Sequence, residues 1–113
     1  MSEFYIGLMS GTSLDGVDAV LVDFSPAASS SPRPLQVLAH ASEPMPAALG
    51  AELLALNTSG NDELHRAALA ANALVRLYAQ AVHALLADAN LAATQVRAIG
   101  AHGQTLRHRP AAF

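Results

Sequence analysis

Residues 5–24 constrain the fold of this chain more than any other stretch. Two mostly apolar runs of strand length, Phe4–Met9 and Val17–Phe24, flank the polar segment SGTSLDG at residues 10–16. A turn that only reverses the chain needs about two to five residues. The sequence therefore predicts a strand–turn–strand unit whose connection is longer, and richer in hydroxyl groups, than chain reversal requires.

The polar segment has the composition of an anion-binding turn. We expect Gly11 and Gly16 to take positive φ and to let a ligand approach the backbone. Successive backbone N–H groups of such a turn can bind an anion, and the hydroxyls of Thr12-Ser13 suit phosphate oxygens. A carboxylate beside a phosphate needs a cation between them, so Asp15 or Asp18 indicates a hydrated Mg²⁺. The alternative is a surface hairpin whose side chains bond their own backbone.

Composition excludes several classes of protein. The 113 residues suit one domain or part of one, and the net charge of −3 provides no basic surface for nucleic acid or anionic membranes. The chain has no cysteine, which excludes disulfides and thiolate metal sites and fits a reducing compartment. It shows neither a secretory signal nor an apolar run of transmembrane length. We therefore expect a cytoplasmic protein that binds neither nucleic acid nor membranes.

Four further elements follow the predicted hairpin. A Pro/Ser/Ala-rich loop at Ser25–Pro34 leads into a third strand at Leu35–Ala41. A short helix is predicted at Ala47–Leu56, and a fourth strand at Val96–His102. Between these two lies the most regular pattern of the chain.

That pattern predicts a long helix over Asp62–Ala89, with Asn61 as its N-cap and Asn90 as its left-handed stop. Apolar residues recur at alternating steps of four and three: Leu64, Ala68, Ala71, Val75, Tyr78, Val82 and Leu85. Further apolar residues widen this stripe, so we expect most of the helix to be buried. The small alanines favour packing on a sheet over a coiled coil.

The fourth strand follows a long crossover and is therefore expected to lie parallel to an earlier one. Ligands in open α/β sheets gather beyond the carboxyl ends of parallel strands. His102, Gln104 and Thr105 lie at such an end, and Gly103 leaves room for a ligand. Histidine and glutamine both donate and accept hydrogen bonds, which suits a hydroxyl-rich ligand. A polar strand-to-loop transition without a ligand explains these residues equally well.

Two separated stretches resemble one known family. IGLMSGTSLDGVD at residues 6–18 and IGAHGQT at residues 99–105, with RHRP at residues 107–110, are similar to anhydro-N-acetylmuramic acid kinase. The resemblance implies an α/β fold of the sugar-kinase, Hsp70 and actin superfamily. Its ribonuclease-H-like mixed sheet has three antiparallel strands, then helices and a parallel strand. Residues 1–113 would form the N-terminal portion of the first of two lobes, and we expect the second lobe to be absent from this chain.

The family's reaction uses ATP to phosphorylate O6 of 1,6-anhydro-N-acetylmuramic acid while water opens the anhydro ring. The product, N-acetylmuramic acid 6-phosphate, belongs to cell-wall recycling. By resemblance, the ATP phosphates bind at Gly11, Thr12, Ser13, Leu14, Asp15, Gly16, Val17 and Asp18, and the sugar lies near His102, Gly103 and Gln104. No residue here matches the family's catalytic base, so we assign none. We therefore expect the isolated chain to be inactive, and the metal ligands stay unassigned.

Two other classes of function stay open from the sequence. One is a non-catalytic module that binds phosphate or sugar, or that associates with a second copy as a homodimer through an unpaired sheet edge. The other is a hydrolase that uses Asp15, Asp18 and His102 around a metal. Nothing in the sequence brings those three side chains to metal-bonding distance, so the hydrolase ranks last.

Overall fold

The computed structural model describes residues 2–25 and 35–112. The elements are β1 Phe4–Ser10, β2 Gly16–Asp23, β3 Gln36–Pro44, α1 Ala47–Ala55, α2 Glu63–Ala89 and β4 Val96–Ala101. Short 3₁₀ turns lie at Ala93–Gln95 and Pro110–Ala112. Apart from Ser25, the predicted loop at Ser25–Pro34 lies outside the described residues.

The four strands form one mixed sheet in the order β3-β2-β1-β4. β1 pairs antiparallel with β2, and β2 pairs antiparallel with β3. After both helices the chain returns to the sheet beside β1, and there β4 pairs parallel with β1. The α/β architecture predicted from the sequence, three antiparallel strands followed by helices and a parallel strand, is confirmed. It is that of an incomplete N-terminal lobe of the actin-like fold.

One face of the sheet is apolar because alternate residues of a strand point to the same side. On β1 these are Ile6 and Leu8, and on β2 they are Val17 and Leu21; none exceeds 7% exposure. They pack with Leu85 and the rest of the inner face of α2 into the main core. Helix α2 is therefore the element that covers this face of the sheet.

The long helix begins one residue later than the sequence predicts, and the Asn61 cap is wrong. Asp62 occupies the N-cap position with φ 53° and makes no side-chain capping bond. Instead, the Glu63 carboxylate accepts a hydrogen bond from the Gly60 N–H at 3.1 Å. This local bond fixes the loop that precedes the helix. At the other end, Asn90 has φ 55°, as predicted for a left-handed stop.

The buried face of α2 also differs from the prediction. Leu64 and Val75 of the predicted stripe are 87% and 61% exposed. The buried side chains of the helix are Ala70, Leu74, Leu77, Tyr78, Ala81, Leu85 and Leu86. The expectation that most of the helix is buried is wrong, because in the described structure the sheet covers only one of its sides.

Of the described residues, one helix is long and apolar enough to cross a membrane by length and composition, and it is α2. A core helix passes the same test. The inner face of α2 packs on the sheet, with Ala81 and Leu85 fully buried there. The apolar content of the helix is therefore accounted for in part by this core.

The two helices and the segment after β4 are joined by polar contacts. Arg66 of α2 pairs with Glu52 of α1 and lowers the pKa of that carboxyl. Arg107 pairs with Glu63 and also donates from Nε to the Leu56 carbonyl at 3.1 Å. Hydrogen bonds from Arg107 and from a backbone N–H lower the Glu63 pKa. A second, smaller apolar cluster lies beneath these pairs and contains Leu53, Leu56 and Ala70.

Candidate functional site

The turn between β1 and β2 has one residue in the left-handed region, and it is not a glycine. Leu14 has φ 58°, and its N–H donates to the Gly11 carbonyl at 3.2 Å. Neither Gly11 nor Gly16 has positive φ, so that prediction is wrong; among the described glycines only Gly103 does. The strain of the turn is therefore carried by a leucine, which needs a compensating contact.

The side chain of Leu14 supplies that contact. It packs, half-buried, against the second apolar cluster between α1 and α2. The turn is also fixed by a hydrogen bond from the Met45 N–H to the Asp15 carbonyl at 3.0 Å. Leu14 thus fastens the turn to the helical layer, while Thr12, Ser13 and Asp15 stay exposed.

Gly16 is required by close packing rather than by its φ angle. A Cβ atom at this position would lie 2.3 Å from the Glu43 carbonyl oxygen and 3.3 Å from the Pro44 Cα. At Gly11, an added Cβ would meet only the Ser13 Oγ, at 3.8 Å. Gly16 therefore lets β3 approach the base of the turn, and Gly11 leaves space above it.

A cavity of about 430 Å³ lies beside the turn. Six of the eight predicted nucleotide-binding residues line it: Gly11, Ser13, Asp15, Gly16, Val17 and Asp18. Thr12 is exposed but does not line it, and Leu14 faces the helices. Residues 42–44 of β3 also line the cavity, and the sequence analysis missed them. They face residues 16–18 through the pairing of β2 with β3, which no local sequence signal reveals.

Negative charge dominates this cavity. Three acidic residues, Asp15, Asp18 and Glu43, line it, and within the described part of the chain no lysine or arginine does. The Asp18 Oδ1 accepts a hydrogen bond from the Ser42 Oγ at 2.7 Å and lies 3.6 Å from the His40 Nε2. The Ser42 contact and the nearby imidazole restrain one carboxylate oxygen at the edge of the cavity.

The loop after β4 is joined to the end of β1 and to the turn by three hydrogen bonds. The His102 N–H donates to the Leu8 carbonyl at 3.0 Å, which continues the pairing of β4 with β1. The Ser10 Oγ donates to the Gly103 carbonyl at 3.3 Å. The Gln104 Nε2 donates to the Gly11 carbonyl, also at 3.3 Å. The structure therefore brings the two sequence motifs together, although they lie 93 residues apart.

Gln104 and His102 face different surroundings. The Gln104 Oε1 is buried and has no hydrogen-bond partner among the described residues. His102 is exposed and lines a second cavity, of about 390 Å³, on the face of the sheet opposite α2. This cavity lies over Gly7 and Gly100, which are paired in register, and shares Asp18 with the first cavity. Asp18 thus lies where the two cavities meet.

Comparison with known proteins agrees with this combination of motifs. The family model described as anhydro-N-acetylmuramic acid kinase matches residues 3–113. The chain belongs to the anhydro-N-acetylmuramic acid kinase family. Arg107 of the RHRP stretch contributes to the fold, because it binds Glu63 and the Leu56 carbonyl.

Curated relatives named anhydro-N-acetylmuramic acid kinase cover the same segment. The relative from Albidiferax ferrireducens is 62% identical over 113 residues, which are 100% of this chain and 28% of the relative. That from Variovorax paradoxus is 60% identical over 98% of the chain and 28% of the relative. That from Bordetella petrii is 68% identical over 94% of the chain and 27% of the relative. The chain thus spans about a quarter of the length of these relatives.

Proposed function

We propose that this chain is the N-terminal part of a cytoplasmic, ATP-dependent kinase. The enzyme phosphorylates O6 of 1,6-anhydro-N-acetylmuramic acid with hydrolytic opening of the anhydro ring, and the product is N-acetylmuramic acid 6-phosphate. Residues 1–113 supply a portion of the first of two lobes. The observation that supports this proposal is the hydrogen bond from Gln104 to the Gly11 carbonyl, which joins the loop after β4 to the turn after β1.

The nucleotide phosphates bind at the turn, to residues Gly11–Asp18. Its hydroxyls are exposed, Gly11 leaves space for close approach, and Leu14 holds the backbone in place. Such a preorganised turn offers donors that need not rearrange when phosphate arrives.

The carboxylates of the cavity fit a bound Mg²⁺. A phosphate alone would be repelled by Asp15 and Asp18, and a hydrated Mg²⁺ between them removes that repulsion. Among the described residues, no group of three His, Cys, Asp or Glu side chains could hold a metal ion. A cation here therefore takes most of its ligands from water and phosphate, as Mg²⁺ commonly does. When bound, it neutralises charge on the transferred phosphoryl group.

The sugar binds at the loop after β4, near His102, Gly103 and Gln104. The bond to Gly11 fixes the orientation of the Gln104 amide, so that its Oε1 is left as an acceptor. A buried acceptor without a donor costs about 1–3 kcal/mol. A sugar hydroxyl that donates to it recovers this energy. We assign no catalytic base within this chain, and the activation of water belongs to the remaining length of the family's proteins.

The test joins residues 1–113 to the remaining sequence of the Bordetella petrii relative. The fusion is incubated with ATP, Mg²⁺ and 1,6-anhydro-N-acetylmuramic acid, and the products are weighed by mass spectrometry. We expect a product heavier by one water and one phosphoryl group, and none from residues 1–113 alone. A gain of phosphoryl without water would indicate an ordinary sugar kinase. No product, with the intact relative active, would contradict the proposal.

A pair of variants in the fusion separates the two subsites. Asp15→Ala is expected to weaken binding of Mg²⁺-ATP about tenfold and to leave sugar affinity unchanged. Gln104→Leu keeps the size of the side chain but removes the bond to Gly11, and it is expected to have the reverse effect. Equal losses of both ligands in either variant would contradict this division of the site.

We propose self-association as a second candidate function for the chain by itself. β4 lies at the edge of the sheet, and Ile99 on it is 51% exposed. Two copies related by a two-fold axis would pair their β4 edges antiparallel. Sedimentation velocity tests this: Ile99→Lys is expected to convert a concentration-dependent dimer into a monomer. A monomer at all concentrations in the unmodified chain excludes it.

A further inference from the structure

A buried hydroxyl pair connects helix α2 to the site, and neither the nucleotide nor the sugar subsite uses it. The Tyr78 hydroxyl lies 2.9 Å from the Ser10 Oγ, 68 residues away in the sequence. Tyr78 is 9% exposed and Ser10 is 2% exposed. Ser10 is the last residue of β1, directly before the turn that is proposed to bind phosphate. A polar group at this depth needs a partner, and each of these hydroxyls has the other.

The direction of the hydrogen bonds follows from counting protons. A serine hydroxyl carries one proton, and the Ser10 hydroxyl donates it to the Gly103 carbonyl at 3.3 Å. The Ser10 Oγ must therefore accept the proton of the Tyr78 hydroxyl. The chain of bonds runs from Tyr78 through Ser10 to Gly103. It begins on the inner face of α2 and ends in the middle of the proposed sugar loop.

Packing holds Gly103 only weakly. A Cβ atom added there would have no atom within 4 Å, and the residue has φ 84°. Its carbonyl contacts are the Ser10 hydroxyl and the His102 Nδ1, each at 3.3 Å. His102 is itself exposed, so its ring is a weaker restraint than the buried Ser10. The conformation of this loop therefore depends on a few hydrogen bonds, and the one from Ser10 is supported by Tyr78.

We infer that Tyr78 and Ser10 are positioning residues for the sugar subsite. They hold Gly103 in place, and with it the neighbouring His102 and Gln104, so that α2 sets sugar affinity without touching the sugar. The inference rests on the proposed function for the identity of the ligand. The restraint on the loop is a property of the protein alone and can be measured without any ligand.

The first experiment is amide hydrogen exchange by NMR on the 113-residue chain with Tyr78→Phe. The change removes the hydroxyl that donates to Ser10. Exchange of the His102 amide, which donates to the Leu8 carbonyl at the start of the loop, is expected to accelerate about fivefold, the value of one ordinary hydrogen bond. Amides of β2 and β3 are expected to keep their rates. Tyr5→Phe is the matched control, since Tyr5 lies on β1 and packs edge-to-face on Phe24 with ring centroids 5.4 Å apart. Unchanged exchange of the His102 amide, or a uniform increase everywhere, would overturn the inference.

The second experiment measures binding of 1,6-anhydro-N-acetylmuramic acid and of Mg²⁺-ATP separately, by titration of the fusion that carries residues 1–113. Tyr78→Phe and Ser10→Ala are each expected to weaken sugar binding about fivefold or more and to spare the nucleotide. Ser10→Thr keeps the hydroxyl and is expected to retain more of the sugar affinity than Ser10→Ala. Equal loss of both ligands would indicate general destabilisation and would overturn the inference. If the unmodified fusion binds neither ligand, the proposed function fails, and hydrogen exchange on the 113-residue chain still decides the positioning role.

Discussion

Strands β2 and β4 are both short and largely apolar, yet they differ sharply in burial. Val17 and Leu21 of β2 are 0% exposed, whereas Ile99 of β4 is 51% exposed. The difference comes from position: β2 lies between β1 and β3 and beneath α2, while β4 lies at the edge of the sheet. The apolar content of a strand therefore does not predict its burial, which depends on the strands and helices that pack against it.

The largest expected effect is the difference in stability lost when a large apolar side chain is shortened on each of the two strands. Leu21→Ala removes fully buried methyl groups between sheet and helix and is expected to lower the free energy of unfolding by about 2–5 kcal/mol. Ile99→Ala on β4 is expected to cost less than about 1 kcal/mol, because the side chain is already half in water. Urea denaturation followed by circular dichroism measures both. Losses of equal size would show that β4 is buried in solution, by a second copy or otherwise.

A smaller effect comes from a pair of glycines, one on each strand. Gly16→Ala would place a Cβ 2.3 Å from the Glu43 carbonyl oxygen, and we expect a loss of about 1–3 kcal/mol as β3 moves away. Gly100→Ala meets no atom within 4 Å and is expected to be neutral or stabilising by about 0.5 kcal/mol. The same urea experiment compares them. A tolerated Gly16→Ala would mean that the approach of β3 to the turn is looser than the structure shows.

The order and type of the elements could be predicted from the sequence because each has a local signal. The hydroxyl-rich segment separates β1 from β2, and Asn90 stops α2 where its apolar periodicity ends. The inner face of α2 could not be predicted. Its apolar residues cover more than one side, and the angle of the helix on the sheet selects which are buried. The Asn61 cap is also wrong: Asp62 takes the N-cap position, and Glu63 and Arg66 bond to Gly60 and Asn61 of the preceding loop.

The candidate site, too, has features that the sequence predicts and features that it does not. The turn and the loop after β4 lie together because β4 pairs parallel with β1. The long crossover predicted a parallel partner among the earlier strands, but not that this partner is β1. The contribution of Ser42 and Glu43 depends on the register of β3, and the support from Tyr78 depends on the rotation of α2. Neither has a signal in the nearby sequence. The reason Gly16 must be glycine is likewise a contact across strands rather than a local angle.

The smallest expected effect is an acid-dependent loosening on the β4 side. The segment after β4 is held partly by the Arg107–Glu63 pair, and the helices by Arg66–Glu52, whereas β2 is held by apolar burial. Hydrogen bonds from these arginines lower the pKa of both glutamates. A lowered pKa contributes stability that is fully present above the ordinary glutamate value of about 4.3 and is lost as pH falls through the folded-state pKa.

We therefore expect backbone ¹⁵N relaxation, measured by NMR, to show residues 106–109 becoming more mobile below about pH 4.3, before β2 does. Glu63→Gln removes the titrating group and is expected to leave these residues more mobile at pH 7, with less change on acidification. Glu43→Gln, on β3, is the matched control and should leave the acid response of residues 106–109 intact. If both regions became mobile at the same pH, β4 and β2 would unfold as one unit despite their different burial.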